Sequence, residues 1–125
     1  MERTKLKKQT AQKALQTLEE ILEQPYSVMV RDASIQRFEY TFEALWKFLK
    51  EYLKNEKGII CNAPKDCIRE VFAQGFLSEE ETEKFLMMAD SRNETSHTYN
   101  ENIAEKIYNN LHSYFLLMNS LMKKL

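Results

Sequence analysis

Glycine and proline, the residues that turn a chain, are scarce in this 125-residue sequence, with two of each. That scarcity argues against β-rich, loop-rich, collagenous and disordered chains. It calls for long uninterrupted elements, which means helices. An excess of charge of one sign is missing too. Eighteen lysines and arginines face 19 acidic residues, for a net charge of −1. Bulk charge therefore offers no general attraction to nucleic acid or acidic membranes, and any binding to a polyanion must come from a local site. No apolar run approaches the roughly 18 residues that a membrane span needs. Met1 to Lys13 is charged and lacks the apolar stretch of a signal peptide. The two cysteines, Cys61 and Cys67, have five residues between them and match no zinc or redox spacing. They are expected as reduced thiols in a cytoplasmic protein. At roughly 150 residues per domain the length leaves room for one domain, 1–125. A Gly-rich phosphate loop, a metal-ligand cluster and a Ser-His-Asp set are all absent, and no metal or other cofactor is implied.

What the chain does have is helical periodicity. Leu6, Leu15, Leu18, Ile21 and Leu22, with Ala11 and Ala14 between, predict a first helix of about 33 Å that stops before Pro25. Ser27 can cap a second helix running to about Asn55, before Gly58, with Ile35, Phe38, Phe42, Leu45, Leu49 and Leu53 as its core stripe. Adding Trp46, Phe48, Tyr52 and Thr41 widens that stripe to roughly 160°, beyond the usual arc of about 100°. One antiparallel neighbour would leave Phe48, Tyr52 or Trp46 in water. Either a second helix of the same bundle covers them, or they form a subunit interface. Arg31 projects into the same apolar arc, and must snorkel to the helix end or meet an acidic or phosphate partner. A phosphate there would make it a substrate-binding residue.

Pro64 opens a shorter helix that buries Ile68, Val71 and Phe72 and stops at Gly75. Ser78 with Glu81 makes a capping box for a helix through Phe85, Leu86 and Met87 into the nineties. Thr98 with Glu101 makes another, or Asn100 is the cap. The last helix carries Ile103, Ile107, Leu111, Tyr114, Phe115, Met118, Leu121 and Met122. The expected fold is all-α, an up-and-down four-helix bundle with an additional short helix.

Chemistry concentrates in Arg92-Asn93-Glu94-Thr95-Ser96-His97-Thr98-Tyr99-Asn100, the one stretch dense in functional groups and poor in apolar ones. His112, beside Leu111 and Phe115, reads as a packing residue. Arg92-Asn93, His97 and Tyr99 at this spacing are similar to the signature of HEPN domains. Arg31 to Lys47, and Pro64 to Phe76 followed by Arg92 to Asn100, resemble the bacterial subfamily of nucleotidyltransferase substrate-binding proteins. The likeness covers nearly the whole chain, in order.

That resemblance implies a HEPN-like bundle that forms a homodimer and pairs with a minimal nucleotidyltransferase encoded by a separate gene. In HepT-like members the pair is a toxin and an antitoxin. The helical protein is a metal-independent endoribonuclease, and the nucleotidyltransferase silences it by attaching AMP to the motif tyrosine. Carried onto this chain, Arg92 and His97 are the catalytic residues and Tyr99 is the modification target; by their own chemistry Asn93, which can orient either group or hold a ribose, and Arg31 are the candidates for binding substrate. The alternative within the subfamily is a non-catalytic subunit that presents substrate to the nucleotidyltransferase. Cleaving RNA without metal needs the 2′-hydroxyl deprotonated, the leaving oxygen protonated and the phosphorane charge stabilised. A histidine can give or take the proton near neutrality. An arginine offers a planar donor fork to phosphate oxygens. On an ideal helix Arg92 and His97 lie about 140° apart, so they converge only if the long arginine side chain wraps round or the helix breaks near His97, and a second copy would also bring such groups together. One balance runs against RNA. From Ser78 to Glu94 six acidic residues face two basic ones, the reverse of a nucleic-acid groove.

Overall fold

The computed structural model describes residues 2–125, and among them every regular element is helical. In chain order these are α1 (Glu2–Leu22), α2 (Val28–Lys57), α3 (Pro64–Ala73), α4 (Glu79–Glu94) and α5 (Glu101–Lys124), with a single 3-10 turn, Thr95–His97, between α4 and α5. The boundaries follow local chemistry. The Ser27 hydroxyl accepts from the Val30 N–H at 3.0 Å to start α2. Gly58 ends it at φ 68°, a left-handed position that a side chain would strain. Pro64 occupies the first turn of α3, where its missing N–H costs nothing. Ser78 and Glu81 form the reciprocal capping box of α4. Of the two caps open for α5, Asn100 is the one used: its side chain accepts from the N–H groups of Asn102 and Ile103.

Contacts between helices fix their directions. On α1 and α2, Thr4 meets Asn55, Ala14 meets Thr41 and Thr17 meets Arg37, so the two run antiparallel. On α2 and α5, Arg31 meets Glu101 and Phe38 stacks on Tyr114, so these run parallel. Arg92 of α4 meets Glu43 of α2, and Thr95, just past the end of α4, meets Glu39, so the order is reversed and α4 runs antiparallel to both. The result is an up-and-down bundle with short α3 set between α2 and α4, as expected. One continuous core joins all five helices, from Leu15 and Leu18 through Phe38, Phe42, Leu45 and Leu49 to Phe85, Leu111 and Met118.

Because α2 packs against all four other helices, its wide apolar arc is covered within the chain. Phe48 is buried, Tyr52 packs on Phe48 and on Phe76 with ring centroids 6.0 Å apart in each case, and the Trp46 indole donates to Glu43. The arc therefore gives no reason for a subunit interface on α2.

Several other expectations need correction. Leu6, Phe72 and Met87 are exposed, because α1 and α4 each have one packed face and Phe72, next to buried Val71, projects off the packed face of short α3. His112 is exposed and belongs to no core contact. The two cysteines are not free thiols: Cys61 and Cys67 form a disulfide. Opening α3 at Pro64 turns Cys67 back toward the preceding loop, at a Cα–Cα separation of 5.3 Å that a disulfide spans readily. The pair thus carries no argument for a reducing compartment. No described helix is long and apolar enough to cross a membrane.

Candidate functional site

The helix that carries Arg92 ends two residues later, at Glu94, and the chain tightens into the 3-10 turn that holds His97. Thr95 organises this break. It is buried, and its hydroxyl lies 2.7 Å both from the Arg92 carbonyl oxygen and from Glu39 Oε2 of α2. The Thr98 hydroxyl donates to the Thr95 carbonyl, and Asn100 then caps α5. The polar character of the stretch has a structural cause here, since these side chains satisfy backbone groups that a broken helix leaves open.

Arg92 points back onto α2. Its Nε lies 3.1 Å from Glu43 Oε1 and its Nη1 3.5 Å from Glu39 Oε2. The Glu43 contact is charge proximity rather than a hydrogen bond, because the buried Nε–H is aimed off line and has no partner. Arg92 is accordingly held but not saturated. On its other side, Arg92 and Asn93 line a cleft of about 210 Å³ whose apolar wall includes Phe42 and Pro64 and whose rim carries Glu43 and Lys65. Lys65 is in turn paired with Asp90 at 2.6 Å.

His97 and Tyr99 lie on the outside of the turn. Both are exposed, Tyr99 at 82%, and their rings meet edge to face at a centroid distance of 6.0 Å. No hydrogen bond or ion pair among the described residues joins His97 to Arg92. The turn thus breaks the helix near His97, one of the ways open for the two to converge, yet within one chain no hydrogen bond or ion pair brings the two side chains together.

Arg31 goes elsewhere. It is almost fully buried, at 2% exposure, and it meets the acidic partner that sequence reasoning left open against a phosphate one. Nη1 donates to Glu101 at 2.6 Å and Glu105 at 3.0 Å, Nη2 donates to Glu101, and Nε donates to Asp32 at 3.0 Å. The guanidinium hydrogen bonds pull the Glu101 carboxyl below the usual carboxylate range. Tyr26 donates to Glu105, and that bond, followed by Arg31, lowers Glu105 in the same direction. The Arg31 guanidinium is itself pushed further up by Glu101 first and Glu105 second. Every donor group of Arg31 is taken, which corrects its expected role in binding substrate. Sequence periodicity placed Arg31 in the apolar arc; nothing in the sequence paired it with carboxylates 70 and 74 positions away. Glu39 and Glu43, which hold Arg92, also escaped notice as ordinary polar positions of an amphipathic helix.

An all-α bundle whose broken fourth helix presents Arg, His and Tyr at one end defines a recognisable class. Residues 6–125 match the family described as "Nucleotidyltransferase substrate binding protein like", and the chain belongs to that family. A Haemophilus influenzae protein named Probable ribonuclease HepT is 29% identical over an alignment of 96 residues that covers 74% of this chain and 64% of that protein. The match thus spans less than two thirds of that relative. A crystal structure of a Thermus thermophilus protein superposes with a TM-score of 0.86 at 46% identity, covering 91% of this chain and 97% of that one. A second structure, from Haemophilus influenzae, is described as revealing the fold of a substrate binding domain of a nucleotidyltransferase. It superposes with a TM-score of 0.79 at 22% identity, over 94% of this chain and 97% of its own, a likeness of fold.

Proposed function

We propose that this protein is a HepT-like toxin subunit, a metal-independent endoribonuclease that pairs with a separately encoded nucleotidyltransferase and is silenced by it. The observation that carries the reading is the helix break at Thr95. It sets an exposed imidazole and an exposed phenol side by side, a few residues from an arginine that lines a cleft and whose Nη2 has no hydrogen-bond partner among the described residues. Family membership and the likeness to Probable ribonuclease HepT support the same reading.

In this mechanism Arg92 turns a free N–H toward a phosphate oxygen and stabilises the charge that builds on the phosphorane. His97 takes the proton of the 2′-hydroxyl or supplies one to the leaving 5′-oxygen. One imidazole cannot do both at once, and a homodimer that brings a second copy's His97 to the same cleft would supply the other. Asn93, on the cleft wall beside Arg92, holds the ribose or the phosphate. Tyr99 is the acceptor for AMP. Its exposure leaves the hydroxyl open to a nucleotidyltransferase, and an adenylate there adds an anion that competes with RNA for Arg92 and crowds His97.

The decisive experiment is cleavage of RNA by wild type and His97→Ala. Wild type should cleave in the presence of a chelator and leave a 2′,3′-cyclic phosphate. The variant should lose about 10²–10⁴-fold in rate with its helical circular dichroism intact. Cleavage that requires Mg²⁺, or that survives the substitution, sinks the mechanism. Incubation with the partner nucleotidyltransferase and ATP should add AMP to wild type and none to Tyr99→Phe.

A second reading is favoured by one specific observation. Arg92 already faces two carboxylates, so phosphate must compete with them, and a site that binds without cleaving fits that restraint. On this reading the protein presents substrate to the nucleotidyltransferase as a non-catalytic subunit. Absence of cleavage by unmodified protein, with binding retained, would select it.

A further inference from the structure

The acidic balance around the motif leaves RNA without an evident path, because six acidic residues lie between Ser78 and Glu94. The opposite side of α2 has the reverse character. The first 13 residues of the chain carry Arg3, Lys5, Lys7, Lys8 and Lys13 against a single acid, Glu2. Since α1 runs antiparallel to α2, this basic half lies beside the stretch of α2 that holds Lys47 and Lys50. Between the two helices is a groove of about 300 Å³, lined by Lys7 and Thr10 from α1 and by Tyr40, Glu43, Ala44 and Lys47 from α2. Neither Lys7 nor Lys47 has an ion-pair partner among the described residues. The Tyr40 side chain is exposed at 42%.

This groove adjoins the Arg92 cleft, because Glu43 lines both. The ridge between them does not repel a polyanion as a bare carboxylate would. One Glu43 oxygen faces Arg92 at 3.1 Å and the other accepts from the Trp46 indole at 3.1 Å. From Glu43 to Lys47 is one helical turn, about 6 Å, close to the reach of one extended nucleotide. Unpaired cations flanking an exposed aromatic ring are the elements with which proteins hold single strands, the charges tracking phosphates and the ring offering a face to a base.

We propose that the α1–α2 groove, with Lys7 and Lys47 at its sides and Tyr40 exposed within it, carries the single-stranded RNA onward from the Arg92 cleft. The inference rests on the ribonuclease reading for its choice of ligand, and it adds a binding surface that adjoins the Arg92 cleft and is built from α1 and α2 rather than from the acidic α4.

Fluorescence anisotropy with a labelled 2′-O-methyl oligouridylate dodecamer tests it, since that probe cannot be cleaved. Lys7→Gln/Lys47→Gln should weaken binding about tenfold and lower the slope of log Kd against log salt by about 1.4, the value for two single-strand phosphates. Tyr40→Ala should weaken binding, and Tyr40→Phe should restore it. Lys84→Gln/Lys106→Gln makes the same change in net charge on other helices and should bind as wild type. The proposal is overturned if the groove double variant keeps the wild-type slope, if the control pair weakens binding as much, or if wild type does not bind the probe. Failure of the two readings is separable. Groove-dependent binding without cleavage of natural RNA removes the nuclease and keeps the path, whereas cleavage indifferent to Lys7 and Lys47 does the opposite.

Discussion

Two arginines meet carboxylates across α2, and they meet them in opposite senses. Arg31 reaches from α2 to α5, where Glu101, Glu105 and neighbouring Asp32 take all of its donor groups, and it is buried. Arg92 reaches from α4 to α2, stands near Glu39 and Glu43, and lines a cleft with an Nη2 that has no hydrogen-bond partner among the described residues. A saturated arginine is a structural device: it ties the start of α5 to the start of α2 and so fixes the turn that carries His97 and Tyr99. An unsaturated one is a binding device, because an unmet donor next to open space gains by meeting a ligand oxygen. Residue type did not separate the two. Their surroundings did.

The comparison breaks most visibly if Arg92 turns out to matter for stability and Arg31 for catalysis. Arg92→Gln should cost about 10²-fold or more in RNA cleavage, on the order of the 3 kcal/mol that one oriented donor contributes to a developing charge. Its thermal midpoint should stay close to wild type, since the pair it leaves is partly solvated and such pairs contribute about 0–1 kcal/mol. Cleavage measured beside thermal melting checks both halves. A variant that melts early and cleaves normally would reverse the assignment.

Arg31→Met comes next and should show the opposite pattern, with stability lower by about 2 kcal/mol in denaturant unfolding. That sits below the 3–5 kcal/mol of a broken buried pair, because Glu101 and Glu105 can turn into water once released. The pH dependence sharpens the point. Glu101 and Glu105 are held below the ordinary carboxylate range in the folded state. A depressed folded value gives stability that is complete above the unfolded value, about 4.3 for a glutamate, and that is lost as pH falls through the folded one. Wild type should therefore approach Arg31→Met in stability as pH drops below about 4. A gap between them that stays constant down to pH 3 would mean that these carboxylates are not what Arg31 stabilises.

The same contrast explains which features could be read from the chain and which could not. Caps and stops are local, so Ser27, Pro64, Gly75, the Ser78–Glu81 box and Asn100 were legible as residue types at particular spacings. The core stripe of α2 was legible for the same reason. The partners of its flanks were not, since Phe76 against Tyr52 depends on where α3 and its following loop lie. The Arg92 to Tyr99 stretch stood out by its density of functional groups, while its break at Thr95 depends on Glu39 from another helix. The cysteines failed for a related reason: spacing along the chain says little about pairing until Pro64 turns α3 back on its own loop.

A smaller effect tests whether the α5 start is fixed by Arg31 alone. Asn100 caps α5 through two backbone N–H groups, and Asn100→Ala should cost about 1 kcal/mol. If Arg31 and Asn100 hold the same turn, the double variant should depart from additivity in a double-mutant cycle on unfolding. Strict additivity would mean that the cap and the buried arginine act on separate features.

The smallest change expected concerns the carboxylates themselves. Glu43→Gln keeps the shape of the side chain and an acceptor for the Trp46 indole, and removes the charge that faces Arg92 at 3.1 Å. If Glu43 merely offsets the charge of an arginine meant for a ligand, its removal leaves Arg92 more positive at the cleft. Affinity for the uncleavable RNA should then rise about two- to threefold at low ionic strength, less than the 1.4 kcal/mol of a tenfold change, and the gain should vanish as salt screens the site. If instead Glu43 anchors Arg92 as Glu101 anchors Arg31, the released arginine will swing away and affinity will fall at every salt concentration. The sign of that small shift, read by anisotropy across a salt series, decides whether the two arginines differ in kind or only in degree of burial.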